Sequence, residues 1–379
     1  MINEINCTGC GACAEVCPKR CISLIRNNKG FLAAEINSEQ CVHCNKCDAV
    51  CPNMTDVSMN TPKECVAAYS AQPQHVMSSS SGGVFTVLAE RVISEGGAVY
   101  GAAFDGNLNL SHVCVTESEN LAAIRGSKYI QSDVSAVLAD IKARLGSGQT
   151  VLFSGTPCQT AAVSLLCDGL EGRDNLILVD IVCHGTPSNR LFGDYIADIG
   201  RRQKSKVTSF SFRSKKLAST LYGFEYLCEN GKTGVSNGGY TPFGKAFFNG
   251  LAMRDSCYNC RFARSGRVGD LTIGDYWGCV NDYPDFYNSN GTSCILVNTE
   301  RGARLLAEVK DRLSTCKTDI EKVKKNNHNL NSPTEKSPLT EQFWKDYDEK
   351  GYGYIFKKYL KNSFMDKVRI FVHSFSERK

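Results

Sequence analysis

The chain has 379 residues, of which 42% are hydrophobic and 22% charged, with a net charge of +5. Those proportions suit a globular protein that buries its own core, and so small a charge surplus excludes nucleic acid as the expected partner. The anomaly is the 20 cysteines. Disulfide scaffolds belong to small secreted domains, whereas residues Met1 to Cys7 show neither a basic nor an apolar leader pattern. No apolar run approaches the ~18 residues that would mark a membrane-spanning helix. The expected location is therefore cytoplasmic and reducing, with cysteines that bind metal rather than pair.

Residues 1–57 form the cysteine-dense segment. Two runs stand out: Cys7-x2-Cys10-x2-Cys13-x3-Cys17-Pro18, then Cys41-x2-Cys44-x2-Cys47-x3-Cys51-Pro52. This is the spacing of bacterial ferredoxins that carry two [4Fe–4S] clusters, in which the fourth cysteine of each run serves the other cluster. The expected ligand sets are Cys7, Cys10, Cys13 and Cys51 for one cubane, and Cys41, Cys44, Cys47 and Cys17 for the other. Zinc also takes thiolates, but zinc sites are built from paired CxxC halves. Cys21 follows Cys17 by four residues and reads as a small buried hydrophobe, with a variant cluster ligand as the alternative. His43 reads as a surface residue.

Residues 56–64 look like a linker. From about residue 65 to 300, strand-like and helix-like segments alternate. Ser80-Ser81-Gly82-Gly83 precedes a helical stretch, Val84 to Ser94, and could offer backbone amides to an anion. Ala98 to Phe104 reads as a strand, and Gly126-Ser127-Lys128-Tyr129 as a polar loop in which Lys128 could meet an anionic cofactor. Val134 to Leu145 has helical periodicity. Thr150 to Phe153 and Asn175 to Cys183 read as buried strands. Each runs through a Gly-Thr-Pro turn, at Gly155-Thr156-Pro157 and at Gly185-Thr186-Pro187, into a helix. Those turns bring Cys158 and Cys183 to the strand ends where α/β sheets bind ligands, and a helix N-terminus beside Cys158 would lower its thiol pKa.

Val207 to Arg213 alternates like a half-exposed strand within a basic region read mainly as a solvated face. Asn230-Gly231 marks a hairpin. Cys257-x2-Cys260 is half a metal site, which Cys158 and Cys183 could complete as a third [4Fe–4S] cluster. Cys279 is the substitute ligand, and a structural cysteine is the alternative at each position. Ser293 to Asn298 is one more strand. Residues 301–379 read as a mostly helical extension, with Arg301 to Leu313 and Thr340 to Phe375 helical. The extension carries 18 Lys and Arg against 11 Asp and Glu. A solvated face is the simple reading of that excess; an acidic partner or weak association with a membrane surface is the sharper one. The fold class expected is α/β, or α+β overall: a small ferredoxin-like domain, a mixed-sheet α/β domain, and a helical tail.

In this order, the motifs resemble the coenzyme F420 hydrogenase/dehydrogenase beta-subunit family. The matching pieces are Ser80 to Gly83, Gly126 to Tyr129, Ser154 to Gln159, Asp180 to Gly185, Cys257-x2-Cys260 and Gly274-Asp275-x-Trp277-Gly278. The resemblance implies FAD in the second domain, beside Ser80, Ser81, Gly82, Gly83, Ser127, Lys128, Gly155, Thr156 and Pro157. It implies an iron–sulfur flavoprotein oxidoreductase that passes electrons between clusters and a flavin. The flavin would then act on an organic substrate or a deazaflavin coenzyme. An electron-transfer subunit serving a partner enzyme is an alternative, as is a reductase of a biosynthetic intermediate such as a sugar. A redox partner protein or a ferredoxin is expected. No catalytic residue is fixed, although His184 is a candidate proton donor.

Overall fold

The structure, a computed structural model, describes residues 6–217 and 222–366. The expectation of helix out to Phe375 falls partly outside those residues. Near the N-terminus, β1 (Ile22–Arg26) and β2 (Leu32–Ile36) form an antiparallel hairpin between two short helices, Ala12–Val16 and Lys46–Ala49. The remaining strands are β3 (Glu64–Ser70), β4 (Ala98–Phe104), β5 (Leu110–Val115), β6 (Val151–Gly155), β7 (Leu176–Ile181), β8 (Val207–Ser214), β9 (Gly223–Cys228), β10 (Thr233–Asn237), β11 (Leu271–Asp275), β12 (Ser293–Val297) and β13 (Leu313–Thr318).

Eight of these strands make one sheet in the order β13-β3-β12-β11-β7-β6-β4-β5. Its centre, β4-β6-β7-β11, is parallel, and the flanks are antiparallel. The parallel strands are continuous apolar runs because both faces are covered; Leu176 to Val179 are all buried. Helices Val84–Ser94 and Glu300–Glu308 cover one face, with Leu88 and Leu305 packed on Ile177, Val179 and Ile295. Helices Leu138–Gly146 and Pro157–Leu166 cover the other, around Tyr100, Phe153 and Leu178. Cys10, Ala12 and Val50 join that second layer, so the cysteine-rich segment is part of the same core.

A three-stranded sheet, β10-β9-β8, packs with helix Asn189–Gln203 through Phe192, Phe210, Phe212 and Phe224. Helix Thr340–Ile355 closes this core with Phe343 and Tyr347. Asn230-Gly231 does turn the hairpin, Gly231 having a φ of +80°.

Two sequence expectations need correction. The helix expected over Arg301 to Leu313 runs over Glu300–Glu308, and Leu313 to Thr318 is an edge strand on β3, so the extension read as mostly helical also completes the sheet. The linker is not free either, because Asn60 and Arg267 exchange backbone hydrogen bonds of 2.7 and 2.9 Å. Several cations of the basic tail are spent inside the chain. Lys350 and Lys358 pair with the buried Asp346, and Arg312 with Glu90. Among the described residues, no helix is long and apolar enough to cross a membrane.

Candidate functional site

Cys17, Cys41, Cys44 and Cys47 ring a cavity of about 150 Å³, with Cys44 exposed. His43 and Asn45 take left-handed backbone angles, φ +51° and +58°, as the loop turns round it. His43 is exposed and Cys21 is buried against the same cavity.

Cys7, Cys10 and Cys13 are buried, and Cys51 is half-buried. Burial pushes the Cys10 thiol up to about 12, and charge on Cys7 and Cys51 adds to the rise. Cys13 rises too, through burial and then through Cys10, Cys7 and Cys51. Such a set resists ionisation on its own, and multivalent iron reverses that balance. The loop needs Gly9, whose φ is +65° and whose Cβ would stand 2.2 Å from the Leu32 carbonyl oxygen. The Gly9 amide donates to Cys7 Sγ at 3.3 Å.

Cys158, Cys183, Cys257 and Cys260 come from three separate turns and face one another. Burial raises Cys183 well above its ordinary value, with Cys257, Cys158 and Cys260 contributing. Cys257 is pushed up to about 11 by burial and then by Cys260. Cys158, the second residue of helix Pro157–Leu166, is pushed up to about 12. Burial there outweighs the helix terminus, against the sequence expectation. Cys279 stands elsewhere, buried with Tyr276 and Cys294. Among the described residues, no three of His, Cys, Asp or Glu converge on the position of a single metal ion. Cys17, Cys41, Cys44 and Cys47 line one cavity, and Cys158, Cys183, Cys257 and Cys260 line another.

A lace of hydrogen bonds joins the first and third sets. Arg254 donates to the carbonyls of Cys7 and Leu32 and lies 5.2 Å over the Phe31 ring. Ser256 Oγ donates to the Cys7 carbonyl at 3.2 Å. Arg261 donates to the carbonyls of Pro52 and Thr55 at 3.2 and 3.0 Å. The residues flanking the CxxC therefore grip both ferredoxin loops.

The third set lines a cavity of about 480 Å³ at the C-terminal ends of β6, β7 and β11. Ser80, Ser81, Gly83, Ser127, Lys128, Gly155 and Thr156 also face it; Gly82 and Pro157 do not. Gly82 stands behind the wall, its amide bonded to Ser293 Oγ at 3.0 Å, and Pro157 is the buried first residue of its helix. The two polar loops are joined, since the Ser127 amide donates to Ser80 Oγ at 2.6 Å. Lys128 differs from expectation. Its ammonium donates to the Ala102, Ala123 and Arg125 carbonyls at 2.8, 3.1 and 2.8 Å, and burial lowers its pKa to about 8. All three of its protons are engaged, so its direct work is to hold the loop. Arg125 beside it also faces the cavity, and its Nε is buried without a protein acceptor.

Sequence reasoning missed several wall residues. Arg213 is buried rather than solvated. It makes a two-pronged pair with Asp275 at 2.8 and 3.0 Å, donates to Ser80 O at 2.6 Å, and lies 5.0 Å over the Tyr222 ring. Tyr222 in turn stacks on Trp277 at 5.5 Å. His112 is buried against Phe153, bonded to Ser132 Oγ and the Ser154 carbonyl at 2.8 and 3.0 Å; burial lowers its pKa to about 4. His184 meets Phe247 edge-on at 4.9 Å, with Nδ1 3.2 Å from Asn329 Oδ1. His184, named as a candidate proton donor, and the Asp275-x-Trp277 motif were the two signals that had pointed to this end of the cavity.

Three family models match the chain. One is "4Fe-4S dicluster domain", over residues 6–55. The other two are the N-terminal and C-terminal models of the coenzyme F420 hydrogenase/dehydrogenase beta subunit, over 65–139 and 148–322 respectively. No curated protein matches by sequence. Among the solved structures that match is one described as "Xenon derivatization of the F420-reducing [NiFe] hydrogenase complex from Methanosarcina barkeri". The likeness has 18% identity and a TM-score of 0.51, covering 72% of this chain and 90% of that one, and at this identity it concerns the fold alone. The chain belongs to the coenzyme F420 hydrogenase/dehydrogenase beta-subunit family, as an iron–sulfur oxidoreductase polypeptide that opens with a 4Fe–4S dicluster domain.

Proposed function

We propose that the chain is an iron–sulfur flavoprotein oxidoreductase with three [4Fe–4S] clusters and an FAD site. Cys41, Cys44, Cys47 and Cys17 hold the outermost cluster; Cys7, Cys10, Cys13 and Cys51 hold the next. Cys158, Cys183, Cys257 and Cys260 hold the third, on the wall of the larger cavity. When bound, the clusters carry single electrons and the flavin supplies two-electron or hydride chemistry.

The observation that carries this reading is the hydrogen bonding of Arg254 and Ser256, just before Cys257, to the Cys7 carbonyl. It keeps the third thiol set against the first, while Cys44 faces solvent. This supports reading the thiol sets as a series from the surface to the cavity. The hydroxyls of Ser80 and Ser81, the start of helix Val84–Ser94 and the unpaired Arg125 Nε suit the phosphates of a dinucleotide. The aromatic end, with Tyr222 and Trp277, suits a planar organic substrate or a deazaflavin, which these residues bind and shield from water.

The decisive experiment is anaerobic purification followed by iron, sulfide and flavin quantification. About twelve irons per chain, by cubane stoichiometry, and bound FAD are expected. About eight irons with no flavin would overturn the reading. The family is one of subunits, which favours a second reading in which the chain serves a partner enzyme and has no substrate of its own. Turnover of the isolated chain with a dye or deazaflavin separates the two.

A further inference from the structure

The aromatic end of the larger cavity is walled by a segment outside the family match. Asn326, Asn327, His328 and Asn329 face the cavity, whereas the C-terminal family model stops at residue 322. They close and follow helix Ile320–Asn326. The segment is fastened to the Cys183 turn, since Thr334 Oγ1 donates to the His184 carbonyl at 2.6 Å. Asn326 lies on the turn after Trp277, where a Cβ added to Gly278 would stand 2.3 Å from its Nδ2.

Hydrogen bonding divides these polar groups into supports and open contacts. Asn327 Nδ2 donates to the Val323 carbonyl at 2.9 Å and fixes the loop. Asn329 Nδ2 donates to the Ser332 carbonyl and to Thr334 Oγ1, at 3.4 and 3.1 Å. A carbonyl only accepts, so the amide nitrogen is turned to that side. Asn329 Oδ1 then faces His184 Nδ1, which donates to it at 3.2 Å. That leaves Nε2 of the neutral ring as an acceptor, buried and with no protein partner. Asn326 is exposed, and its carboxamide has no partner among the described residues. Beside these groups Tyr222 stacks on Trp277 at 5.5 Å and meets Phe248 at 5.0 Å, all three rings half-buried. The charge here cancels, because Asp275 matches Arg213 with two bonds of 2.8 and 3.0 Å.

We propose that this end of the cavity is a subsite for a neutral polyhydroxylated ring, a sugar, as the organic substrate. The proposal rests on the reading of the chain as a flavoprotein oxidoreductase and names its substrate class. Flat apolar faces with a few placed polar groups are what orient a small ligand. A sugar ring answers both parts: its C–H face lies against the aromatic set, and its hydroxyls donate and accept. One hydroxyl donates to His184 Nε2, and others exchange hydrogen bonds with the Asn326 carboxamide. An acidic coenzyme fits less well, because the arginine at this end already has its carboxylate.

The test uses the full chain, purified without oxygen and with its cofactors, in calorimetric titrations. The probes are the methyl glycosides of glucose, galactose, mannose and N-acetylglucosamine, with a deazaflavin coenzyme as the acidic alternative. Saturable binding of at least one glycoside to the flavin-loaded wild type is expected. Asn326→Ala, at an exposed site, should weaken it about fivefold, the worth of one hydrogen bond, with iron and flavin content unchanged. His184→Phe keeps a ring against Phe247 and removes the acceptor; it should weaken binding by a similar factor. A flavin-loaded wild type that binds none of the glycosides overturns the proposal, as does an affinity unchanged in either variant. Binding of the deazaflavin instead, weakened by the same variants, also overturns it. A wild type without flavin defeats the underlying reading, so the two failures are distinguishable.

Discussion

Arg267 and Asp180 form an ion pair at 2.9 Å with side chains only 1% and 0% exposed. Arg267 also donates to the Ile181, Phe262 and Arg264 carbonyls at 3.0, 3.1 and 3.2 Å. The pair ties the turn after Cys260 to the end of β7, shortly before Cys183. Replacing Arg267 by alanine strands a buried carboxylate, which costs ~3–5 kcal/mol. Urea unfolding should show that loss, and Arg267→Ala/Asp180→Ala should recover part of it. An unchanged midpoint in the single variant would show that the pair does not bear on stability.

Cys10 and Cys44 should behave differently although their motifs are alike. Each alanine variant is expected to lose one N-terminal cluster signal in electron paramagnetic resonance. Cys44→Ala, at an exposed site, should leave the melting curve of the rest unchanged. Cys10→Ala opens a gap beside Ala12 and Tyr100 and should also lower the melting temperature. Two unchanged spectra would sink the ligand assignment.

The third set is tested by Cys257→Ala/Cys260→Ala. About four irons of about twelve should go, with both ferredoxin signals retained. A wild-type content of about eight irons would leave these cysteines as structural or redox-active thiols.

Gly83 precedes helix Val84–Ser94 with φ +82°, and an added Cβ would stand 3.0 Å from the His75 backbone. Gly83→Val should deplete bound flavin and leave iron content intact. Full flavin occupancy in that variant would count against the Ser80–Ser81–Gly83 end of the cavity.

His112 gives a pH dependence. Burial lowers its folded pKa to about 4 from an ordinary 6.5. Below 6.5 the unfolded chain takes up a proton that the folded chain refuses. Stability is therefore full above that value and falls as pH drops towards about 4, by roughly 3 kcal/mol in all. Urea midpoints between about pH 7 and about pH 5 should decline, and His112→Gln should flatten the decline. Equal slopes would assign the acid sensitivity to other groups.

The cysteine runs were legible because cluster ligation fixes spacing along the chain. The strands around Gly155 and Cys183 were legible because buried parallel strands are unbroken apolar runs. Arg213 and His112 were not, since a polar residue in an alternating strand looks solvent-facing until its partners are known. Those partners, Asp275 for Arg213 and Ser132 for His112, are 62 and 20 residues away in sequence. Lys128 does face the cavity, but its partners were not legible. Its loop position suggested a free cation, whereas three nearby carbonyls absorb it. Leu313 to Thr318 was not recognised as a strand because an edge strand half-buried on β3 carries little periodicity of its own.

The pinning of Asn60 to Arg267, together with the Arg254 clasp, decides what kind of carrier the N-terminal segment can be. A ferredoxin on a slack tether would act as a swinging arm, delivering charge at a rate set by linker length and solvent viscosity. Here the same short sequence is a bolted post. Spacing between the thiol sets is then a constant of the fold, indifferent to dilution or crowding, and under the proposed function the exposed Cys44 is where an outside partner would make its encounter.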